Sequence, residues 1–322
     1  MVTGAERIGS WVVANAGRLG LRAADTARVG LIGTGESYAA WRVRVPGAEP
    51  LVIRIARRAA GGMARPMADE FAAMALVPPG LGPRPVLLEE SPGPLGAPFM
   101  VTGYVPGRPV GPAGWTDDLL TAHARQMAVL HAEPHPTGNP PPSLTAKLAE
   151  SLENWRRFHP RVLDDPETTR LTGLVERHAA AAAPVFARLD RLALVHGDLA
   201  VPNIVVDRGT PRYVDWEWGR IGDPARDLAH LGGSIAAAPW HLDLPAERIE
   251  LLLRTYVAAA GEAAGSLEDL RVRRDAFEVY QRFISCLYFR TRIGDAEDRR
   301  SGRYTRTVRQ LTDGLRRRLR HC

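Results

Sequence analysis

Lysine is nearly missing from this chain. Of its 42 basic residues only Lys147 is lysine, and the other 41 are arginine. A site that ordinarily employs lysine must therefore manage with arginine, a planar fork rather than a point charge. Cysteine is almost as scarce, with Cys286 and Cys322 the only two in 322 residues. Two distant thiols in a chain of this length argue against a disulfide framework, so a cytoplasmic protein is expected. No run of 18 or more apolar residues occurs, so no membrane partner is expected. The opening segment MVTGAERIGSWVVANAGRLG lacks the charged start and long apolar stretch of a signal peptide.

What is present is ordinary for a globular protein: 45% hydrophobic and 24% charged residues. A net charge of +6 could suggest nucleic acid, but its distribution does not. Residues 1–104 carry +3, residues 105–289 carry −4 and residues 290–322 carry +7. The surplus sits in the tail RRSGRYTRTVRQLTDGLRRRLRHC, which reads as a terminal helix with a solvated face. No nucleic-acid partner is expected.

The hydrophobic pattern changes along the chain. Residues 1–25 read as a leading helix. ARVGLIGTGESYAAWRVRV reads as strand, Gly-containing turn, strand; PLVIRIARR, PRPVLLEE and PFMVTGYV read as further strands, and MARPMADEFAAMALV as a helix. From about Asp117 helices dominate, with apolar residues three and four apart. The expected fold is α+β: a small antiparallel sheet lobe over residues 1–103 and a larger helical lobe over residues 104–322.

One hairpin interrupts the helical part. HGDLAVPNIVVDRGTPRYVDWEW (196–218) places IVVD and RYVD as two short strands around RGTP. Asn203 precedes the first strand and Asp215 ends the second, so the two should meet at the open end. Both offer oxygen to Mg²⁺, which is commonly held by one or two carboxylates plus phosphate oxygens. Asp198, five residues before Asn203, is the candidate general base. Any one of these residues alone suits a cap or turn. Together, the H-G-D-x4-N pattern followed by strand, turn and Asp is hard to produce by chance.

This segment resembles the catalytic segment of the aminoglycoside phosphotransferase and choline kinase family, which has a protein-kinase-like fold. The likeness continues in IGDPARDLAHL (221–231), in AVLHAEP (128–134) and in APFMVTGYVPGRPV (97–110). It implies Asp198 as the catalytic residue and Asn203 and Asp215 as metal ligands. His196, Asp223 and Asp227 are implied as structural support, Asp227 as the cap of the next helix. Nucleotide contacts would come from Gly33, Gly35 and Ser37 in LIGTGESY. Arg54 stands where the family often has lysine, with Glu70 as its partner. Gly103 and Val105 of the lobe-linking segment would meet the base. ATP or GTP with Mg²⁺ is implied as cofactor.

Trp216, Glu217 and Trp218 follow the metal aspartate and are candidate contacts to the acceptor. Aromatic rings there suit stacking, though packing of the hairpin is the plainer use. The acceptor is expected to be a small molecule with a hydroxyl. The Ala-, Arg- and Gly-rich composition suits a GC-rich genome and favours an antibiotic of aminoglycoside, macrolide, peptide or nucleoside type, phosphorylated for self-resistance. A metabolic kinase for choline, homoserine or a sugar is the alternative. A non-catalytic pseudokinase and a protein kinase are further ones. The presence of Asp198, Asn203 and Asp215 disfavours the first. The lack of an A-P-E segment after Asp215 disfavours the second.

Overall fold

A computed structural model describes residues 4–22, 25–58, 65–138 and 143–320. Contacts divide the chain into two units. The first is Met1–Gly107 together with Arg212–Arg220, and the second is Arg108–Pro211 together with Ile221–Cys322. The return of Arg212–Arg220 to the first unit cannot be seen by reading elements one after another.

In the first unit, strands β1 (Arg28–Thr34), β2 (Tyr38–Arg44), β3 (Leu51–Ala56), β4 (Pro85–Glu89) and β5 (Phe99–Gly103) form one sheet. Their order is β1-β2-β3-β5-β4, antiparallel throughout. Alternation along β3 decides its two faces. Leu51 and Ile53 join a buried cluster with Val43, Phe99 and Val101, closed by Ile8, Trp11 and Val12. Those last three lie on helix α1 (Gly4–Ala14), whose Trp11 meets Phe99 edge-on at 4.9 Å. The leading helix is shorter than the 25 residues expected. A short 3-10 turn, Gly17–Leu19, follows it and ends at Gly20 in the left-handed region. Arg54 lies on the opposite face of β3, registered between Ala40 and Met100. Helix α2 (Met67–Ala75) starts directly after Pro66, where a missing N–H costs nothing, and buries Glu70 among its apolar residues.

The second unit is mainly helical. Helix α3 (Asp117–Leu130) starts at Thr116, whose side chain accepts the Leu119 amide. Helix α4 (Leu144–Phe158) starts at Ser143 in the same way. Helix α5 (Pro166–Phe186) packs against a 26-residue central helix, Leu267–Arg292, which also carries Arg303–Arg318. That last helix is the expected terminal one: it buries Val308, Leu311 and Leu315 and pairs Arg316 with Glu167. A strand that the periodicity did not flag, Arg191–Val195, runs into His196. Its apolar residues are all buried, so no alternation marks it.

The second strand of the expected hairpin lies two residues earlier than read. Ile204–Asp207 is as read, but the second strand is Thr210–Tyr213. Asp215 thus lies beyond the strand instead of ending it, and has φ 70°. A left-handed residue breaks the pleat, which is why pairing stops short of it.

Candidate active site

In the first unit the candidate residues converge on Arg54. Its guanidinium pairs with Glu70 through Nη1 and donates to Asp215 Oδ1 at 2.6 Å through Nη2. The same group lies over the Tyr38 ring, 4.2 Å from its centroid. Glu70 is 1% exposed and Asp215 43%, so the fork spans a buried acid and an accessible one. Burial alone would pull the Arg54 guanidinium down, but Glu70 and then Asp215 outweigh it and hold it above its usual value. Burial pushes Glu70 up against the opposing pull of Arg54. Tyr38, which the sequence reading did not single out, is raised by burial first and by Glu70 next.

Asp215 is one of two non-glycine residues with positive φ, the other being Arg208, among the described residues. Such a conformation is uncommon and points to a constraint on where that carboxylate sits. Two residues on, Glu217 accepts a hydrogen bond from Ser37 Oγ at 3.1 Å, which ties the β1–β2 turn to the segment after Asp215. Burial, then the Asp215 and Glu70 carboxylates, push Glu217 up to about 7. Gly35 lies in that turn, and Gly33 lies near the end of β1, registered against Ala40. A Cβ at Gly33 would meet nothing within 4 Å, and one at Gly35 would meet only the Tyr38 carbonyl at 3.8 Å. Internal packing does not require glycine at either position.

One expectation changes in this unit. Trp216 is fully buried and its indole N–H donates to the Tyr213 carbonyl at 3.1 Å. It is a core residue with no surface to offer an acceptor. Trp218 is half-buried, as is Glu217. Gly103, expected to serve a base through its backbone, spends its N–H on the Arg84 carbonyl at 2.8 Å. Val105, two residues later, is half-buried in an irregular segment.

In the second unit the site is built on backbone. Gly197 has φ 82°, a conformation that glycine adopts without strain. The Asp227 carboxylate accepts the His196 amide at 2.7 Å and the Gly197 amide at 2.9 Å. Arg226 returns a bond to the Gly197 carbonyl at 2.8 Å. Asp227 is therefore not the expected helix cap. It lies inside the helix α6 (Ala225–His230), whose N-cap is Pro224, and holds the loop before Asp198 instead. Its carboxylate is fully buried and also meets His131 Nε2 at 3.3 Å. Burial would raise it, but His131, His196 and the Gly197 amide win and hold it at about 2.

Asp198 projects from this loop with its side chain 38% exposed. Asn203 Nδ2 donates to both the Asp198 carbonyl, at 2.8 Å, and Asp198 Oδ2, at 3.0 Å. With its amide nitrogen so used, the Asn203 oxygen is the atom left to face a cation. His196 is fully buried and accepts the Asp198 amide on Nδ1 at 3.3 Å. Asp223 accepts the Ala225 amide at 2.9 Å, an Asx turn, and forms a buried pair with Arg273 at 2.9 Å. His131, Arg226 and His230 were not singled out from the sequence. Their contacts join segments far apart in the chain, and no local spacing announces them.

Among the described residues, no group of three or more His, Cys, Asp or Glu side chains could hold a metal. Asn203 offers an amide oxygen and Asp215 a carboxylate oxygen, each a donor type that Mg²⁺ accepts beside phosphate oxygens.

A model of the phosphotransferase enzyme family matches residues 29–277. The chain belongs to that family. Its fold is α+β and protein-kinase-like. It is 33% identical to viomycin phosphotransferase of Streptomyces vinaceus over 185 residues, 49% of this chain and 61% of the relative. The match thus spans less than two thirds of that relative. Among solved structures, a candidate aminoglycoside phosphotransferase from Ralstonia eutropha superposes with a TM-score of 0.67 at 15% identity, covering 98% of each chain. The streptomycin–ATP complex of APH(2″)-IIa superposes at 0.58 and 13%, covering 97% of this chain and 95% of the other. Among the described residues no helix is long and apolar enough to cross a membrane.

Proposed function

We propose that this phosphotransferase moves the γ-phosphate of ATP or GTP, with Mg²⁺, to a hydroxyl of an antibiotic and thereby protects its producer. The observation that carries the reaction is the loop gripped by Asp227, which presents a partly exposed Asp198 carboxylate already held by Asn203. The likeness to viomycin phosphotransferase supports a peptide antibiotic over the other acceptor types.

Asp198 takes the proton of the acceptor hydroxyl. The freed oxygen bonds the γ-phosphorus, the bond from that phosphorus to the β–γ bridging oxygen breaks, and the nucleoside diphosphate leaves. Asn203, through its amide oxygen, and Asp215 are the residues that would hold the cation. When bound, Mg²⁺ neutralises charge on the phosphate oxygens. Arg54 neutralises phosphate charge where the family often uses lysine, and Glu70 orients it. Gly33 and Gly35 leave room for phosphates beside the backbone, with the Ser37 hydroxyl nearby. Gly103 and Val105 line the base. Trp218 and Glu217 remain the candidate acceptor contacts.

The test is nucleoside-diphosphate release against viomycin, an aminoglycoside, a macrolide, a nucleoside antibiotic, choline, homoserine and a sugar, with ATP and with GTP. Turnover on viomycin with a mass gain of one phosphoryl group is the expected result. Turnover on choline, homoserine or the sugar alone would replace the acceptor with a metabolic one. No turnover on any acceptor, with nucleotide still bound, would sink the catalytic reading.

A further inference from the structure

The helix that grips the Asp198 loop carries a second residue aimed at the same place. Asp227 and His230 lie three apart on α6, hence on one face. Asp227 takes the two amides before Asp198. His230, one turn later, brings Nδ1 to 3.8 Å from Asp198 Oδ1. His230 is 6% exposed, and neither of its ring nitrogens has a hydrogen-bond partner among the described residues. Its backbone, by contrast, is fixed: the carbonyl accepts from His241 Nδ1 at 3.0 Å and from Arg282 Nη2 at 3.3 Å. Buried polar atoms left unbonded are few in native proteins and call for a reason. A hydrogen bond that catalysis alone requires is often long before the substrate arrives.

The two oxygens of Asp198 differ. Oδ2 accepts from Asn203 at 3.0 Å. Oδ1 faces His230. A donor on each oxygen fixes the plane of a carboxylate and still leaves lone pairs for the incoming proton. Burial first, then Arg226, holds His230 well below its usual value and therefore neutral, with one N–H to give.

We propose that His230 is a positioning residue for phosphoryl transfer: its Nδ1–H closes onto Asp198 Oδ1 in the substrate complex and, with Asn203 on Oδ2, sets the carboxylate against the acceptor hydroxyl. The inference rests on Asp198 being the base and adds what orients it.

The test compares three substitutions in the full chain, using the acceptor that wild type turns over best. In His230→Asn the amide nitrogen can take the place of Nδ1; in His230→Gln it reaches the place of Nε2; in His230→Leu the volume remains and the donor is gone. The expected kcat order is Asn above Gln and Leu. The Asn variant stays within about threefold of wild type, and Leu and Gln fall by about 10- to 100-fold, with KM for nucleotide and acceptor little changed. A packing role would give the reverse order, because Leu fills the site and Asn leaves a cavity. Unfolding midpoints are measured alongside. If Leu does not fold, the Asn and Gln pair decides alone. Equal kcat in all variants, or Leu above Asn, overturns the proposal while an inactive Asp198→Ala leaves the base intact. An active Asp198→Ala, or a wild type inert toward every acceptor, overturns the base reading and this one with it.

Discussion

The two units hold their candidate residues by different means. In the first, charge is set against charge: Arg54 spans Glu70 and Asp215 by its two arms, and Ser37 reaches Glu217. In the second, one buried carboxylate is set against backbone: Asp227 takes the amides of His196 and Gly197, and Asp198 is only the residue next along. The difference is one of exchangeability. A guanidinium shared by two acids can trade one for an incoming phosphate at little cost, because anion replaces anion. Two amides and a fully buried carboxylate have no alternative partner, so that loop keeps one shape. The Arg54 cluster is built to be re-partnered and the Asp198 loop to stay still.

Breaking the fixed side at its working end should have the largest effect. In Asp198→Ala, kcat is expected to fall by about 10² to 10⁴, the usual contribution of a positioned base. The fold should survive, since Asp198 is partly exposed. Diphosphate release and circular dichroism measured together check this, and a folded variant with wild-type turnover would remove Asp198 from the chemistry.

Breaking the same side at its root should cost stability as well. Asp227→Asn leaves one acceptor where two amides and His131 were served, and should lower unfolding free energy by roughly 2–4 kcal/mol. The sign with pH follows from the depressed carboxylate. Its folded value of about 2 lies below the ordinary 3.8, so its contribution is complete above about 4 and is lost as pH falls through about 2. Urea titrations from pH 5 downward should show a steep acid loss in wild type and a flatter one in the variant. Parallel curves would mean that Asp227 is not the group responsible.

The exchangeable side should respond more gently and in a different constant. Arg54→Ala is expected to raise the nucleotide KM by about tenfold or more and to change acceptor KM little. Arg54→Lys should fall between, because an ammonium keeps the charge but cannot fork to Glu70 and Asp215 together. If acceptor KM moves and nucleotide KM does not, Arg54 is not a phosphate group.

How much of this could be read beforehand divides along the same line. Asp198, Asn203 and Asp215 sit in one short segment with a family pattern, and the sheet strands are short apolar runs bounded by turn residues, so both could be picked out in the sequence. The partner of Arg54 was also within reach, since Glu70 lies on the next helix. What escaped depends on tertiary contact or on total burial. Trp216 follows the aspartate in sequence, yet its ring turns into the core. Asp227 looks like a cap and proves to be an anchor for a loop 30 residues earlier. The strand Arg191–Val195 shows no period because it buries every apolar side chain.

The smallest effect expected concerns the one lysine, whose titration reports on the fixed side. Lys147 lies on α4, half-buried, 5.9 Å from the centroid of the Tyr280 ring. Burial, followed by repulsion from Arg226, lowers its amine to about 8 against the pull of Glu150. Arg226 is the residue that binds the Gly197 carbonyl, so the lysine senses the charge that secures the loop. Because the folded value is depressed, the unfolded chain binds the proton more tightly. Stability should therefore rise slightly as pH climbs from about 8 toward the ordinary 10.5. The direct measurement is acylation: with no other side-chain amine present, the extent of Lys147 modification against pH reads its titration. A midpoint near 8 is expected, and it should rise in Arg226→Met as the repulsion is removed. A midpoint near 10.5 in wild type would show that Lys147 does not feel Arg226 and that its amine is solvated.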